Sequence, residues 1–306
     1  MIALDIGGRL LATAGALAIW TAAFGVFVPA LDALASFLPI SLAAMLIGLV
    51  AGRLWRHIGW VVPLLVTLAP ALYATGHELV RPIPTADGGT KVTILTHNIR
   101  AANRALAATI VAIEQADADV VLLQEVTPGV REMLMGGPGG YRHATPCPDD
   151  VCGLLIASRW PIADSDYFLR DTLGKHIGPP LLWARIAAPD GAFTVATTHY
   201  PWPLPAEPQA RKRQALAQAL ARTERDSLIL AGDMNLTPWS AAMRAQDDGF
   251  RPLVRMTRAA FSWPATVPIL PIDQLYAGPG WARISAKALP PTGSDHRPIL
   301  TTLVRR

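Results

Sequence analysis

The sequence predicts an α/β domain of layered architecture preceded by about three transmembrane helices. Only three of the 27 basic and three of the 23 acidic residues precede Arg81 in the 306-residue chain. The first quarter is therefore nearly uncharged, as a membrane region is, whereas the remainder has the composition of an ordinary soluble domain. In that remainder, apolar β-rich segments alternate with helical ones, which is typical of packed sheets with helices outside them.

Three apolar runs account for the N-terminal region, at residues 10–30, 33–51 and 58–74. Each approaches the ~20 residues that a helix needs to cross ~30 Å of hydrocarbon. Asp32 and the polar segment 53–57 separate the runs, and Pro63 and Pro70 predict that the third span is kinked. Two alternatives stay open: a cleaved signal peptide and a helical bundle buried in a soluble protein.

The few charges of this region predict its orientation. Arg9, Arg53 and Arg56 belong on the cytoplasmic side by the positive-inside rule. Three spans then place the C-terminal domain outside the cytoplasmic (inner) membrane. In that compartment Cys147 and Cys152, five positions apart, are either a small disulfide loop or two unrelated thiols.

The chain accordingly divides into a membrane region at 1–80, a linker at 81–90 that is rich in Pro and Gly, and a soluble domain at 91–306. Within that domain the patterns predict strands at 91–96, 119–123, 152–157, 181–186, 193–198, 227–231 and 299–304. They predict helices at 101–115 and 208–225.

Polar residues cluster where the predicted strands end, or directly before the last strand. The segments are His97-Asn98-Ile99-Arg100, Gln124-Glu125-Val126, His199-Tyr200-Pro201, Gly232-Asp233-Met234-Asn235, Ile272-Asp273-Gln274-Leu275 and Ser294-Asp295-His296-Arg297-Pro298. Polar groups at the ends of buried strands converge in space and are typical of active sites. Their carboxylate and amide oxygens are hard ligands that suit Mg²⁺ or Mn²⁺.

These segments, in this order, resemble the endonuclease/exonuclease/phosphatase superfamily from Val92 to Leu303. The resemblance implies a four-layer αββα sandwich of the deoxyribonuclease I type and a metal-dependent phosphoester hydrolase. It implies that the metal ligands are Asn98, Glu125 and Asp295. It implies that the catalytic residues are His199, Asp233, Asn235, Asp273 and His296, with Asp233 acting on the water and Asp273 orienting His296.

Other interpretations of single residues stay open. Asn98 could simply cap the following helix, and His199 could be a surface residue. Arg100 and Arg297 adjoin the motifs and could clamp a phosphate, although the resemblance does not extend to them.

The membrane region bears on the substrate. Three spans before this domain resemble a bacterial membrane-bound subgroup that includes proteins associated with glycopeptide-antibiotic resistance, which implies a lipid-linked phosphate. The apolar loop 200–205 is then expected to rest on lipid. A net charge of +4 is no strong sign of nucleic acid, and the basic cluster 211–213 is expected to be a solvated helix face. An extracytoplasmic nuclease and an inactive binding module are the alternatives.

Overall fold

The computed structural model describes residues 2–147 and 153–306, so the question of a Cys147–Cys152 pair falls partly outside the described residues. The chain forms two compact units. The first contains Met1–Arg81 together with two later segments, Trp202–Pro208 and Leu236–Ala245. The second contains Pro82–Pro201, Gln209–Asn235 and Gln246–Arg306.

Apolar helices make up most of the first unit: α1 (Ile2–Ala23), α2 (Pro29–Asp32), α3 (Leu38–Ala51) and α4 (Ile58–Val80), with 3-10 turns at Phe24–Val26, Ala33–Phe37 and Leu54–Arg56. Three stretches are long and apolar enough to cross a membrane, namely Asp5–Val26, Pro29–Ala51 and Ile58–Val80. Many of their large apolar side chains are exposed, among them Leu10 at 67% and Val50 at 66%. An exposed apolar surface of this kind is consistent with a membrane anchor and is unusual for a bundle buried within a soluble protein.

Small residues bring α1 and α3 into backbone contact. A Cβ atom at Gly8 would overlap the backbone of Gly52, and one at Gly48 would overlap the backbone of Ala12. Without a hydrophobic driving force in lipid, helices associate through this kind of close packing at small residues. In α4 the chain stays helical through both prolines, and the Thr67 hydroxyl donates to the Pro63 carbonyl at 2.8 Å.

The second unit contains two six-stranded mixed sheets. The strands of this unit are β1 (Lys91–Asn98), β2 (Val120–Val126), β3 (His143–Ala144), β4 (Gly153–Ser158), β5 (Ile162–Asp166), β6 (Leu169–Arg170), β7 (His176–Ile177), β8 (Leu182–Ala188), β9 (Gly191–His199), β10 (Leu228–Asp233), β11 (Val254–Arg255), β12 (Asp273–Ala277), β13 (Trp281–Ala288) and β14 (Ile299–Arg305). The first sheet has the order β13-β14-β1-β2-β4-β3, and the second has the order β11-β12-β10-β9-β8-β5. Strands β6 and β7 form a separate two-stranded ribbon.

The main core lies between the two sheets. Ile94 and Leu122 of the first sheet and Val195 and Ile229 of the second are fully buried in one cluster. Helices α5 (Leu106–Gln115) and α6 (Val130–Gly136) cover the other face of the first sheet, in a second cluster that includes Ile113. Helices α7 (Ala206–Leu220) and α8 (Ala241–Gly249) follow later in the chain. Two mixed sheets packed with helices confirm the predicted α/β sandwich.

The seven predicted strands are present, but the first predicted helix begins five residues late. Residues 101–105 form turns instead, since Asn103 donates to the Ile99 carbonyl and accepts from the Ala105 N–H. Asparagine favours such local side-chain hydrogen bonds over helix. The sequence did not predict helices α6 and α8 or strands β3, β5, β6, β7, β11, β12 and β13.

Candidate active site

Two pairs of parallel strands bring the polar segments together. In the first sheet β1 runs parallel to β2, with Asn98 opposite Gln124. In the second sheet β9 runs parallel to β10, with His199 opposite Asp233. Strand β12 begins antiparallel to the end of β10, with Asp273 opposite Asp233. Residues directly opposite one another point to the same face, so His199, Asp233 and Asp273 form one row across the second sheet.

The two sheets meet at the side chain of Asn98. Its amide nitrogen donates to Glu125 Oε1 at 2.9 Å and to Asp233 Oδ2 at 3.1 Å. The second oxygen of Glu125 accepts the Ala101 N–H at 3.0 Å. Burial raises the pKa of Glu125, but the hydrogen bonds from Asn98 and Ala101 outweigh burial and leave the pKa below its ordinary value. Glu125 is therefore an ionised carboxylate that converges with Asp233 on one point.

Asp233 is fully buried and lies between two imidazoles. Its Oδ2 is 3.5 Å from His199 Nε2 and 3.6 Å from His296 Nε2. Burial raises its pKa, and the nearby histidines offset that rise only in part. A carboxylate with a raised pKa is a better base at neutral pH. Asn235 follows in a left-handed conformation, and its side chain donates to the Tyr200 carbonyl at 2.9 Å.

Asp273 and His296 form a buried ion pair. Asp273 Oδ2 lies 2.9 Å from His296 Nδ1, and the two side chains are 0% and 6% exposed. Burial lowers the pKa of His296, but Asp273 and Asp233 outweigh it and raise the pKa to about 10. Burial raises the pKa of Asp273, but the nearby His296 outweighs burial and brings this pKa below its ordinary value. At neutral pH the pair is an imidazolium bonded to a carboxylate.

Two sets of residues could hold a cation. Ligand atoms of Asp233, Asp273 and His296 lie within 4.8 Å of one another. However, a protonated imidazole has no lone pair for a metal, so the histidine of this group is better suited to handling protons. Glu125 and Asp233 offer hard carboxylate oxygens of the kind that Mg²⁺ prefers. Both carboxylates accept from the Asn98 amide nitrogen, so they converge in a way that fits a divalent cation. The Asn98 amide oxygen accepts the Arg100 N–H at 3.0 Å.

The remaining predicted residues lie less centrally. Asp295 is the partner of Arg100 in a long ion pair, with 3.9 Å between Nε and Oδ2. Arg297 donates from Nε to the Ala265 carbonyl at 2.6 Å. Among the described residues, neither guanidinium has a hydrogen bond or ion pair to Asn98, Glu125 or the two histidines, and Arg100 contacts Asn98 only through its backbone N–H, at 3.0 Å. A phosphate clamp by these arginines stays a prediction.

Backbone strain marks the same region. Arg100, Glu125 and Asn235 all have positive φ, at 60°, 55° and 45°. Such conformations cost of order 1–3 kcal/mol in residues with side chains and concentrate at functional sites. Gly232 has φ of 152°, and a Cβ atom there would overlap the Thr198 carbonyl oxygen. Glycine is therefore needed directly before Asp233.

Lys212 and His97 also lie close to site residues, although the sequence assigned no role to either side chain. The Lys212 ammonium donates to the His199 carbonyl at 2.6 Å, so the expectation that residues 211–213 form a solvated face is wrong for Lys212. His97 is buried beneath the site with Nε2 2.9 Å from the Thr292 hydroxyl oxygen, and burial lowers its pKa to about 3. A basic triplet on a helix gives no signal for such a contact, because only the fold supplies the carbonyl.

The second unit has two packed mixed sheets, with carboxylates, an amide and histidines at the ends of their central strands. This combination defines a class of protein, the phosphoester hydrolases of the α/β sandwich type. The family model described as "Endonuclease/Exonuclease/phosphatase family" matches residues 95–296, and the chain belongs to this family. The predicted superfamily is thereby confirmed. No curated protein matches this chain significantly in sequence.

Solved structures share the fold at low sequence identity. A functionally unknown conserved protein from Enterococcus faecalis V583 is 17% identical with a TM-score of 0.56, over 70% of this chain and 100% of that one. D. rerio TDP2 complexed with single strand DNA product is 16% identical with a TM-score of 0.57, over 70% and 99%. The human Nocturnin catalytic domain with bound sulfate anion is 17% identical with a TM-score of 0.56, over 72% and 97%.

Proposed function

We propose that the protein is a membrane-anchored, divalent-metal-dependent hydrolase of a lipid-linked phosphoester at the outer face of the cytoplasmic membrane. Family membership implies hydrolysis of a phosphoester bond. The observation that carries the finer proposal is the presence of three membrane-length apolar helices in the same chain as the clustered site. Tethering raises the effective concentration of a substrate in the bilayer and does nothing comparable for a freely diffusing one.

The chemistry follows from the charges of the site. Asn98, Glu125 and Asp295 would hold Mg²⁺ or Mn²⁺, which polarises a phosphoryl oxygen when bound. Asp233, with its raised pKa, accepts the proton of the attacking water. Asn235 has its amide nitrogen fixed by the Tyr200 carbonyl, so its oxygen is presented in one orientation to water or phosphate.

The histidines absorb the charge that develops on phosphorus. The imidazolium of His296 donates from Nε2 toward the phosphate while Asp273 holds Nδ1. His199, 3.9 Å from Glu125 and close to Asp233, is placed to contact the phosphate or to protonate the leaving oxygen. Arg100 is a further candidate for a phosphate contact, because its guanidinium is about half exposed and near Asp295.

An exposed apolar loop supports a lipid substrate. Trp202 and Leu204 follow His199 by three and five residues, and they are 65% and 56% exposed. Their segment, Trp202–Pro208, belongs to the same compact unit as the membrane-length helices. Aromatic side chains favour the headgroup region of a bilayer. By contrast, Trp160 packs against the main core and the Trp183 indole donates to a carbonyl, so neither is a lipid contact.

The contacts of Asp32 support an odd number of spans. Its carboxylate accepts the N–H groups of Ala241 and Ala242 at 2.8 Å each. Residue 32 and residues 241–242 therefore lie on the same side of any bilayer that the helices cross, as three spans require. Together with Arg9 and the arginines at 53 and 56, this supports an extracytoplasmic site. A reporter active only outside the cytoplasm, fused after Arg306, should be functional, and a functional cytoplasmic reporter would reverse the orientation.

The test of substrate class compares one variant on two substrates. Trp202→Ser combined with Leu204→Ser should lower Mg²⁺-dependent turnover of a lipid phosphate in vesicles. It should leave turnover of bis(p-nitrophenyl) phosphate unchanged, because that substrate needs no membrane contact. Leu173→Ser is the matched control, since Leu173 is an exposed leucine far along the chain from these motifs.

Three outcomes separate the alternatives. Efficient hydrolysis of plasmid DNA without hydrolysis of lipid phosphates would identify an extracytoplasmic nuclease. Activity on none of the three substrates, with the fold intact, would identify a binding module. Equal loss on lipid and on the small phosphodiester would mean that the loop supports the site and has no role at the membrane.

A further inference from the structure

A cavity of about 280 Å³ lies within the first compact unit. Its walls come from α1, the start of the second membrane-length stretch, α4, and the segment Leu236–Ala245. Apolar side chains such as Ile19, Ala74 and Trp239 make up most of the lining. The volume is close to the lower end of the range for ligand-binding pockets, ~300–1,000 Å³. This inference rests on the membrane anchor of the proposed function, in which lipids surround the helices that line the cavity.

The polar groups of the lining are unequal in charge. Among the described residues that line the cavity, Asp32 is the one carboxylate and Arg244 the one cation. Both oxygens of Asp32 accept backbone N–H groups at the start of α8, so this carboxylate already has its hydrogen-bond partners. Arg244 donates from Nη1 to the Trp239 carbonyl at 2.7 Å and has no carboxylate partner among the described residues. The cavity wall therefore presents a guanidinium that is open to an anionic partner.

The position of Arg244 suits the phosphate level of a bilayer. Its guanidinium lies over the ring of Tyr73, with 5.8 Å between Cζ and the ring centroid. Tyr73 belongs to the last third of α4, and Trp60 lies near the start of the same helix. Tyrosine and tryptophan concentrate at the two membrane–water interfaces. A cation stacked on an interfacial tyrosine is placed to pair with a phosphate, while the cavity beside it is placed to take hydrocarbon.

We propose that this cavity binds one acyl chain of an anionic glycerophospholipid of the surrounding bilayer, whose phosphate pairs with Arg244. The bound lipid would complete the packing between the membrane helices and the segment Leu236–Ala245. Binding does not depend on the hydrolytic reaction, and it needs no particular chemistry at the active site. Charge selects the lipid, because a zwitterionic headgroup brings its own cation to compete with Arg244.

Fluorescence of Trp239 provides the test. The full-length protein is reconstituted in phosphatidylcholine vesicles that contain either phosphatidylglycerol or further phosphatidylcholine with bromine on the acyl chains. Bromine quenches tryptophan at contact, and the signal of Trp239 is the difference between the wild-type protein and Trp239→Phe. We expect brominated phosphatidylglycerol to quench Trp239 at a lower mole fraction than brominated phosphatidylcholine.

Two variants test the charge of Arg244 and the volume of the cavity separately. Arg244→Gln should raise the phosphatidylglycerol fraction needed for half-quenching by about tenfold, the effect of losing a charge-assisted hydrogen bond. Arg251→Gln, an exposed arginine that pairs with Asp248, is the matched control and should change nothing. Ala74→Leu fills the cavity and should abolish quenching while the helical content by circular dichroism is retained.

The proposal is overturned if both lipids quench Trp239 equally in the wild-type protein. It is also overturned if Arg244→Gln behaves like Arg251→Gln. If Ala74→Leu does not fold, the comparison of the two arginine variants still decides the outcome.

Discussion

Replacing Asp273 by Asn tests whether Asp273 and His296 act as one unit. Burial lowers the pKa of His296, but Asp273 and Asp233 outweigh burial and raise the pKa from 6.5 to about 10. A difference of that size corresponds to roughly 5 kcal/mol in favour of the imidazolium. The pair is buried with 2.9 Å between its atoms, so solvent screens the interaction little. The imidazolium should therefore persist at neutral pH only while the Asp273 carboxylate is present.

In the Asp273→Asn variant, the pKa of His296 should fall toward its ordinary value or below. Turnover of bis(p-nitrophenyl) phosphate at saturating Mg²⁺ should fall by roughly 10²–10⁴, the usual contribution of a proton-handling side chain. His296→Ala should cost about as much, and the double variant little more, because residues that act as a unit are not additive. The assays are the absorbance of released nitrophenolate and an NMR titration of the His296 ring.

Multiplicative losses in the double variant would refute the shared role, as would an unchanged pKa of His296 in Asp273→Asn. Asp247→Asn is the matched control, because Asp247 is also a largely buried carboxylate, paired with Arg255 at 2.9 Å. That variant should lower the melting temperature without a comparable loss of turnover.

Three further predictions concern the metal, the backbone and pH. Glu125→Ala should lower kcat at least ~10²-fold with little change in melting temperature, and full activity in EDTA would contradict metal dependence. Gly232→Ala should destabilise the protein by about 2 kcal/mol or more, because a Cβ would overlap the Thr198 carbonyl oxygen; Gly88→Ala, with open space around its Cβ, should not. Burial lowers the pKa of Lys212 from 10.5 to about 8, so the unfolded chain binds more protons between these pH values. The wild-type protein should therefore gain thermal stability relative to Lys212→Met as pH rises from about 8 to 10.5, and a constant difference would contradict the shifted pKa.

The fold was predictable where local pattern and tertiary role agree. Strands β2 and β10 begin with continuous apolar runs because both of their faces are buried. Strands β1 and β9 mix apolar residues with threonine, and all four strands carry, at or near their ends, polar residues that the site uses. Helix α8 was missed because it has only nine residues and ends in Gln-Asp-Asp-Gly, residues that are common in turns. Strand β12 begins at Asp273, whose charge interrupts the apolar pattern of a strand.

The site was predictable as a set of residues and only partly as an arrangement. The motifs identify Asn98 and Glu125, but not that one amide nitrogen bridges Glu125 and Asp233 across two sheets. They give no information on Lys212, whose partner is a backbone carbonyl. Arg297 adjoins His296 in sequence, yet its guanidinium turns to the Ala265 carbonyl. Adjacency to a motif in the sequence identifies which side chains lie at strand ends, but it does not predict where a long side chain points.

The pairing of β1 with β14 determines when the site can assemble during synthesis of the chain. The Ser294 hydroxyl donates to the Asn98 carbonyl from 196 residues further along, and β14 pairs along nearly the whole of β1. Such distant pairings form late, because a long loop must close before they contribute. A ribosome-bound chain with its anchor and most of its strands already made therefore lacks the assembled site. The site can assemble only after β14 has been synthesised and has paired with β1.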